Sequence, residues 1–320
     1  MKQVKNKQVT IAWAMDPFQE EVGNHAHALQ VLAPIAKAFK AKIQPISFID
    51  RGQFYVSDDM DYLALLNSKD RKSAISYLVN KRINAVFSKA LRSQFQDPIV
   101  LVSSGDEPAS LFEKISEMDK AAKKCGAIFV GLHSHARKGL QRFLMGSFAE
   151  SFVLTSSSAA LVMNPACKPP KQIKTIMFPS DFSKESLLAF KQALLFASRL
   201  KAKIIVVHYL YKPSPSLFTF GEKAKARAEK DYQLAQHRSR KWGARMLAMA
   251  KAAKVKSQFD LIEATGRNDA ASAILKLATR SKCDLFALVS RSDDFRAALI
   301  GATGRTIARA AECPVLILHR

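Results

Sequence analysis

The chain has 320 residues, 48% of them hydrophobic, with 12 glycines, 12 prolines and a formal charge of +23. This composition excludes a disordered or fibrous chain, and the length suits two compact cores better than one. The charge is uneven, about +7 over residues 1–168 and about +16 over 169–320, so the second half presents a surface drawn to phosphates, of nucleic acid or of anionic lipid.

The first apolar segment, VTIAWAMDPF, predicts a strand that ends at Asp16. Basic residues precede it, but Asp16 interrupts the apolar run and no small-residue cleavage site follows. No stretch reaches the ~18–20 uninterrupted apolar residues of a spanning helix, so a cytoplasmic protein without a transmembrane segment is expected. The helical pattern that comes next contains Pro34, which removes a helical hydrogen bond and predicts a kink or an early break. A second strand, AKIQPISFI, is followed by a long, mostly helical stretch, a third strand in IVLVSSGDEP, another helix and a fourth strand, GAIFVGL. That strand runs into HSHARKGLQRFLMGSFAE, which reads as a loop and a helix start, and the half closes on the strand AALVMNP.

The segment NPACKPPKQ, residues 164–172, combines prolines and lysines without periodicity and reads as a linker. The predicted domains are 1–165 and 173–320, joined by 166–172. After the linker the same order restarts: IKTIMFPSDFS reaching Asp181, a helix, AKIIVVHYL, a helical stretch, FDLIEATGRND, a helix, CDLFALVS, a loop and helix, and CPVLILHR. In the helix after Asp181, Ser183 is placed to cap, Glu185 sits in the first turn, and Leu187, Phe190, Leu194 and Ala197 recur at helical spacing as a core stripe. Asp16 and Asp181 are 165 residues apart, and Gly146 and Gly301 are 155 apart. The chain is therefore a tandem duplication of one α/β unit, and strands alternating with helices require a parallel, doubly wound sheet covered on both faces.

FPSDFSKESLLAFKQALLFASRLKAKIIVVH, RKGLQRFLMGSFAESFV, AALVMNP and CPVLILHR resemble the universal stress protein family in its tandem two-domain form, and the resemblance covers nearly all of the chain. It implies in each half an open five-stranded parallel sheet between helices, of the adenine nucleotide alpha hydrolase-like kind. Nucleotide-binding members carry a phosphate loop of the form G-x-x-G, nine residues, then G-[ST]. Gly146 and Ser147 match the closing pair and 137–145 the spacer, while His133 and Ala136 stand where the opening glycines belong. The second half retains Gly301 but places bulky or acidic residues through its loop, so the first half is expected to hold the better-kept site.

The resemblance implies that the loop carrying Asp16 faces the loop of residues 133–147. Asp16 would accept hydrogen bonds from ribose hydroxyls or the adenine amine. Backbone around Gly146, Ser147 and Phe148, with Ala136, Arg137 and Gly139 on the same loop, would hold phosphates. A methyl at Ala136 costs on the order of 1 kcal/mol, roughly tenfold in affinity. The ligand so implied is ATP or another adenine nucleotide, with no metal beyond nucleotide-associated Mg and at most slow ATP hydrolysis. The competing expectation is that Gly146 and Ser147 only permit close packing and that Asp16 only caps a helix.

The four cysteines are widely spaced without a CxxC pair and read as reduced thiols. His25, His27, His133 and His135 lack a recognisable third ligand and read as polar histidines rather than a metal site. No nucleophile elbow, Ser-His-Asp set or Walker loop is found, so dedicated catalysis is not expected. Residues 222–256 predict a long helix with about eleven basic and three acidic residues. Three readings stay open: a stress-response regulator binding an adenine nucleotide in its first domain, a nucleotide-free scaffold acting through partner binding or dimerisation (a homodimer or an internal pseudo-dimer of its halves), and a nucleic-acid binder using residues 222–256.

Overall fold

The computed structural model describes residues 8–16, 22–49, 68–86, 92–103, 109–133, 147–164, 166–212, 221–265, 270–290 and 301–319. They fall into two compact units, Met1–Lys171 and Gln172–Arg320. No described helix is long and apolar enough to cross a membrane.

The first unit contains β1 (Thr10–Ala14), α1 (Val22–Phe39), β2 (Lys42–Ile49), α2 (Ser68–Val86), β3 (Ile99–Val102), α3 (Leu111–Lys124), β4 (Ala127–His133), α4 (Ser147–Thr155) and β5 (Ala160–Met163). Its strands lie in the order β3-β2-β1-β4-β5, every neighbour parallel. Strands covered on both faces have no solvated side to alternate toward, which is why β1 and β5 are apolar and buried almost throughout. The helix α1 lies close over β4: a Cβ built on Gly131 would stand 3.0 Å from Cδ2 of Leu32. Pro34 does not break α1, which continues to Phe39. The carbonyl that loses its partner belongs to Gln30, four residues back and exposed, so the missing bond falls on the wet side of the helix.

At the far side of this unit, Asp119 of α3 ties the helix to the chain between α4 and β5. Its carboxylate accepts from the Ser156 hydroxyl at 2.6 Å, the Ser158 N–H at 3.2 Å and Lys123 Nζ at 2.6 Å.

The second unit repeats the plan with β6 (Thr175–Pro179), α5 (Lys184–Leu200), β7 (Lys203–Lys212), α6 (Glu222–Ala252), β8 (Ser257–Thr265), α7 (Ala270–Arg280), β9 (Leu285–Val289), α8 (Ala302–Ala310) and β10 (Val315–Leu318). The order is β8-β7-β6-β9-β10, again parallel throughout. Thr10 lies opposite Lys42 and Thr175 opposite Lys203, so Asp16 and Asp181 occupy the same place in the two units. Ser183 caps α5, its hydroxyl accepting from the Ser186 N–H at 3.2 Å, and Phe190, Leu194 and Ala197 of the predicted stripe are buried. The 31 residues of α6 touch the core only from Tyr232 onward, and residues 222–227 are exposed on every side.

Candidate functional site

In an open parallel sheet, the loops leaving two neighbouring strands go to opposite faces where the strand order reverses, and a crevice opens at the strands' carboxyl ends. In the second unit this point lies between β6 and β9. The described residues form a cleft there of about 400 Å³. Its walls come from five separate parts of the chain: Ser180 and Asp181 after β6, His208 on β7, Ile274 on α7, Leu288 on β9, and Gly301 with Thr303 at the start of α8.

The turn after β6 is tightly specified. The carboxylate Oδ1 of Asp181 accepts from the Ser183 N–H at 3.0 Å and the Ser183 hydroxyl at 2.7 Å. Phe182 takes the left-handed conformation at φ 60°, unusual for a residue with a Cβ. Its N–H donates to the Ser180 hydroxyl oxygen at 3.1 Å, and that hydroxyl shares a 2.8 Å bond with the buried Ser186 hydroxyl. The Phe182 ring then packs on His208, centroids 4.4 Å apart, and lies stacked 6.4 Å from Trp242 of α6. Arg245 covers Trp242, its guanidinium carbon 4.9 Å from the ring centre.

His208 brings a defined tautomer to the cleft. A carbonyl can only accept, so the 2.7 Å contact to the Ser180 oxygen places the proton on Nδ1. In the neutral ring Nε2 is then an acceptor. Burial pushes the imidazole below its usual range, against the opposing pull of the Ser180 carbonyl and the Asp181 charge.

Across the cleft, α8 starts at Gly301, which caps it without a side-chain bond. The first N–H groups of a helix have no partner within it and sit at the positive end of its dipole. Gly301, Ala302 and Thr303 line the cleft. The arrangement suits a small ligand with an anionic group at α8 and hydrogen-bond donors toward the Asp181 turn and His208. The apolar wall of Ile274, Leu288 and Ile307 lies between.

In the first unit, Asp16 is exposed just past β1, where the Met15 N–H donates to the Ile46 oxygen at 3.0 Å as that of Ser180 does to Val207 at 2.8 Å. Ser147 opens α4, and Phe148 follows it with its ring 6.2 Å from Phe152. Ala136, Arg137, Gly139 and Gly146 lie outside the described residues. The rings of His27 and His133 meet at 5.3 Å, but His27 Nε2 donates to the Cys167 carbonyl at 2.6 Å, as a histidine with a structural role would. Among the described residues no group of three His, Cys, Asp or Glu side chains could hold a metal ion.

Sequence reading singled out neither His208 nor Ile274 nor Thr303. His208 had a signal, being the first polar residue in the apolar run of β7. Ile274 had none, because only the fold brings α7 over the cleft.

Residues 172–319 match the family model described as the universal stress protein family. A solved universal stress protein from Archaeoglobus fulgidus is similar at 16% identity over 99% of each chain, with a TM-score of 0.59. A functionally unknown protein from Pseudomonas aeruginosa gives a TM-score of 0.57 at 12% identity, over 98% of this chain and 92% of its own. A putative universal stress protein from Pseudomonas aeruginosa gives 0.53 at 14%, over 98% and 93%. At these identities the likeness is one of fold. No curated protein matches the chain.

Proposed function

We propose, from the match of residues 172–319 to the universal stress protein family, that the chain is a stress-response regulator whose second unit binds an adenine nucleotide in the cleft between β6 and β9. The observation that supports this most directly is the pairing of two chemistries across one crevice. The α8 N-terminus offers backbone N–H groups suited to phosphate, and the Asp181 turn with neutral His208 offers acceptors suited to a ribose or a base amine. The ligand acts as a bound signal. The first unit, with Asp16 after β1 and Ser147 at the start of α4, is the alternative position for the same ligand.

The experiment is mass spectrometry of small molecules released from freshly purified, denatured protein, with calorimetric titration of ATP and AMP. One nucleotide per chain, lost in Ile274→Trp, which fills the second cleft, is the expected result. Two per chain would place a working site in each unit. One that survives Ile274→Trp would move the site to the first unit. An empty protein that gives no heat with either nucleotide would overturn the reading.

A second activity is favoured by the exposure of residues 222–227 together with Lys230. These put Lys223, Lys225, Arg227 and Lys230 on about two exposed helical turns, a surface suited to a nucleic-acid backbone. Such binding would weaken steeply with salt, on the order of one power of ten in affinity per tenfold salt for each phosphate contacted. Affinity insensitive to salt, or no binding at low salt, would remove it.

A further inference from the structure

Cys283 and Cys313 are 30 residues apart in sequence, and their sulfur atoms are 3.9 Å apart. The fold brings them together in a simple way. Cys283 stands two residues before β9 and Cys313 two residues before β10. These two strands are parallel neighbours, with Val315 opposite Phe286 and the Phe286 N–H donating to the Pro314 oxygen at 3.0 Å. Adjacent strands run about 4.8 Å apart, within the Cα range that a disulfide spans. Both cysteines are held on short, bonded segments: the Cys283 N–H donates to the Ala278 oxygen at 2.9 Å, and its thiol lies 3.3 Å from the Leu285 oxygen.

The two sulfurs differ in access. Cys283 is half-buried, whereas Cys313 is only 6% exposed. An oxidant from solvent therefore meets Cys283 first, with Cys313 as the shielded second thiol beside it. The other cysteines lack such a neighbour: Cys125 donates its thiol to the Ala122 oxygen at 3.1 Å, and Cys167 is buried in the other unit, its thiol pushed up to about 12 by burial.

We propose that Cys283 and Cys313 form a reversible disulfide in the second unit when the protein meets a hydroperoxide. In the first step the Cys283 sulfur attacks the peroxide oxygen, the O–O bond breaks, and Cys283 becomes a sulfenic acid while one water (or alcohol) leaves. In the second the Cys313 sulfur attacks the Cys283 sulfur, the S–O bond breaks, and a second water leaves. The two thiols lose two electrons and the peroxide gains them; a small dithiol restores both. The bond closes a loop that contains β9, Gly301 and α8, so the oxidised chain holds one wall of the cleft on a shortened tether.

The test uses the full chain. Protein treated with hydrogen peroxide is denatured, its remaining thiols are blocked with a mass tag, and its peptides are mapped. The expected result is a chain two hydrogens lighter, two of its four thiols blocked from tagging, and one cross-linked peptide pair containing Cys283 and Cys313. Dithiothreitol should return all four thiols, and oxidation should raise the denaturant midpoint. In Cys313→Ser, dimedone should label Cys283 as the trapped sulfenic acid; Cys283→Ser should keep its other thiols under the same dose. A map that leaves both thiols reduced, or that joins either one to another cysteine, overturns the proposal from the unmutated protein alone. So does Cys313→Ser that takes no dimedone.

Discussion

The Nδ1 of His208 lies 2.7 Å from the carbonyl oxygen of Ser180, joining the middle of β7 to the turn that carries Asp181. Burial lowers the imidazole below its ordinary value of 6.5, and the Ser180 bond and the Asp181 charge oppose that without reversing it. In the interval between the folded and unfolded values the unfolded chain binds more protons, so stability rises with pH across it. The contribution of His208 is therefore complete above about pH 6.5 and is lost as pH falls through the depressed folded value. His208→Asn keeps an N–H for Ser180 and cannot titrate. The difference in denaturant midpoint between the unmutated protein and this variant should be constant above pH 6.5 and should shift against the unmutated protein below it. Parallel curves down to pH 5 would show that His208 is not desolvated.

Asp119 behaves as a buried clasp. Burial would raise its carboxyl, but bonds from Lys123, Ser156 and Ser158 outweigh this and hold it below 3.8. Its side chain is 12% exposed, against 53% for Lys123. Removing the carboxylate in Asp119→Ala strands the buried Ser156 hydroxyl and leaves the Ser158 N–H with only its 3.0 Å bond to Ser156 Oγ, at a cost of about 1–3 kcal/mol. Lys123→Met should cost less than 1 kcal/mol, because solvent screens the exposed partner. The clasp is intact above the unfolded value and is lost as pH falls below about 4 through the depressed folded one. Chemical denaturation of both variants, at neutral pH and near pH 3, checks the order and the convergence of Asp119→Ala with the unmutated protein in acid.

Ser183 has two duties that can be separated. Its hydroxyl caps α5 at the Ser186 N–H and also donates to Asp181 at 2.7 Å. Ser183→Ala should lose about 1 kcal/mol of stability from the cap and should weaken nucleotide binding as well, since the Asp181 carboxylate loses a bond that orients it. Ser183→Thr keeps both bonds and should be close to neutral in each assay. Equal nucleotide affinity in all three proteins would remove Asp181 orientation from the account of the cleft.

The repeated sheet was legible because its cause is periodic. The same 165 residues that separate Asp16 from Asp181 separate Thr10 from Thr175, each opposite the lysine that begins the next strand. The α5 cap and stripe were legible because they are local. The cleft of the second unit was not. The retained Gly146 and Ser147 pair drew attention to the first unit, whereas Ser180, His208, Ile274 and Gly301 converge only through strand order. The Cys283 and Cys313 contact was hidden for the same reason, since a spacing of 30 says nothing until β9 and β10 are known to be neighbours. Pro34 shows the reach of a local rule: of the kink or early break that it predicted, the break does not occur, and α1 runs on to Phe39 past an exposed Gln30.

Gly243 sets how closely α6 approaches β8. A Cβ built there would stand 2.5 Å from Cδ1 of Phe259 and 2.6 Å from its Cγ. Because Cγ is the root of the ring, rotating the ring does not clear the clash. In an open helix the change from glycine to alanine gains about 1 kcal/mol; here overpacking costs about 1–3 kcal/mol, so Gly243→Ala should be neutral to destabilising by up to about 2 kcal/mol. The effect should not stop at α6. Phe259 lies 6.2 Å from Phe182, the left-handed residue beside Asp181, and Trp242 next to Gly243 stacks on the same ring. Displacement of Phe259 should therefore change Trp242 fluorescence and lower nucleotide affinity in the cleft. Phe259→Leu opens the space, and the double variant should recover part of the loss, giving a favourable interaction energy in the cycle of at least about 0.5 kcal/mol. Additive losses would mean that Gly243 is required for a reason other than the Phe259 ring.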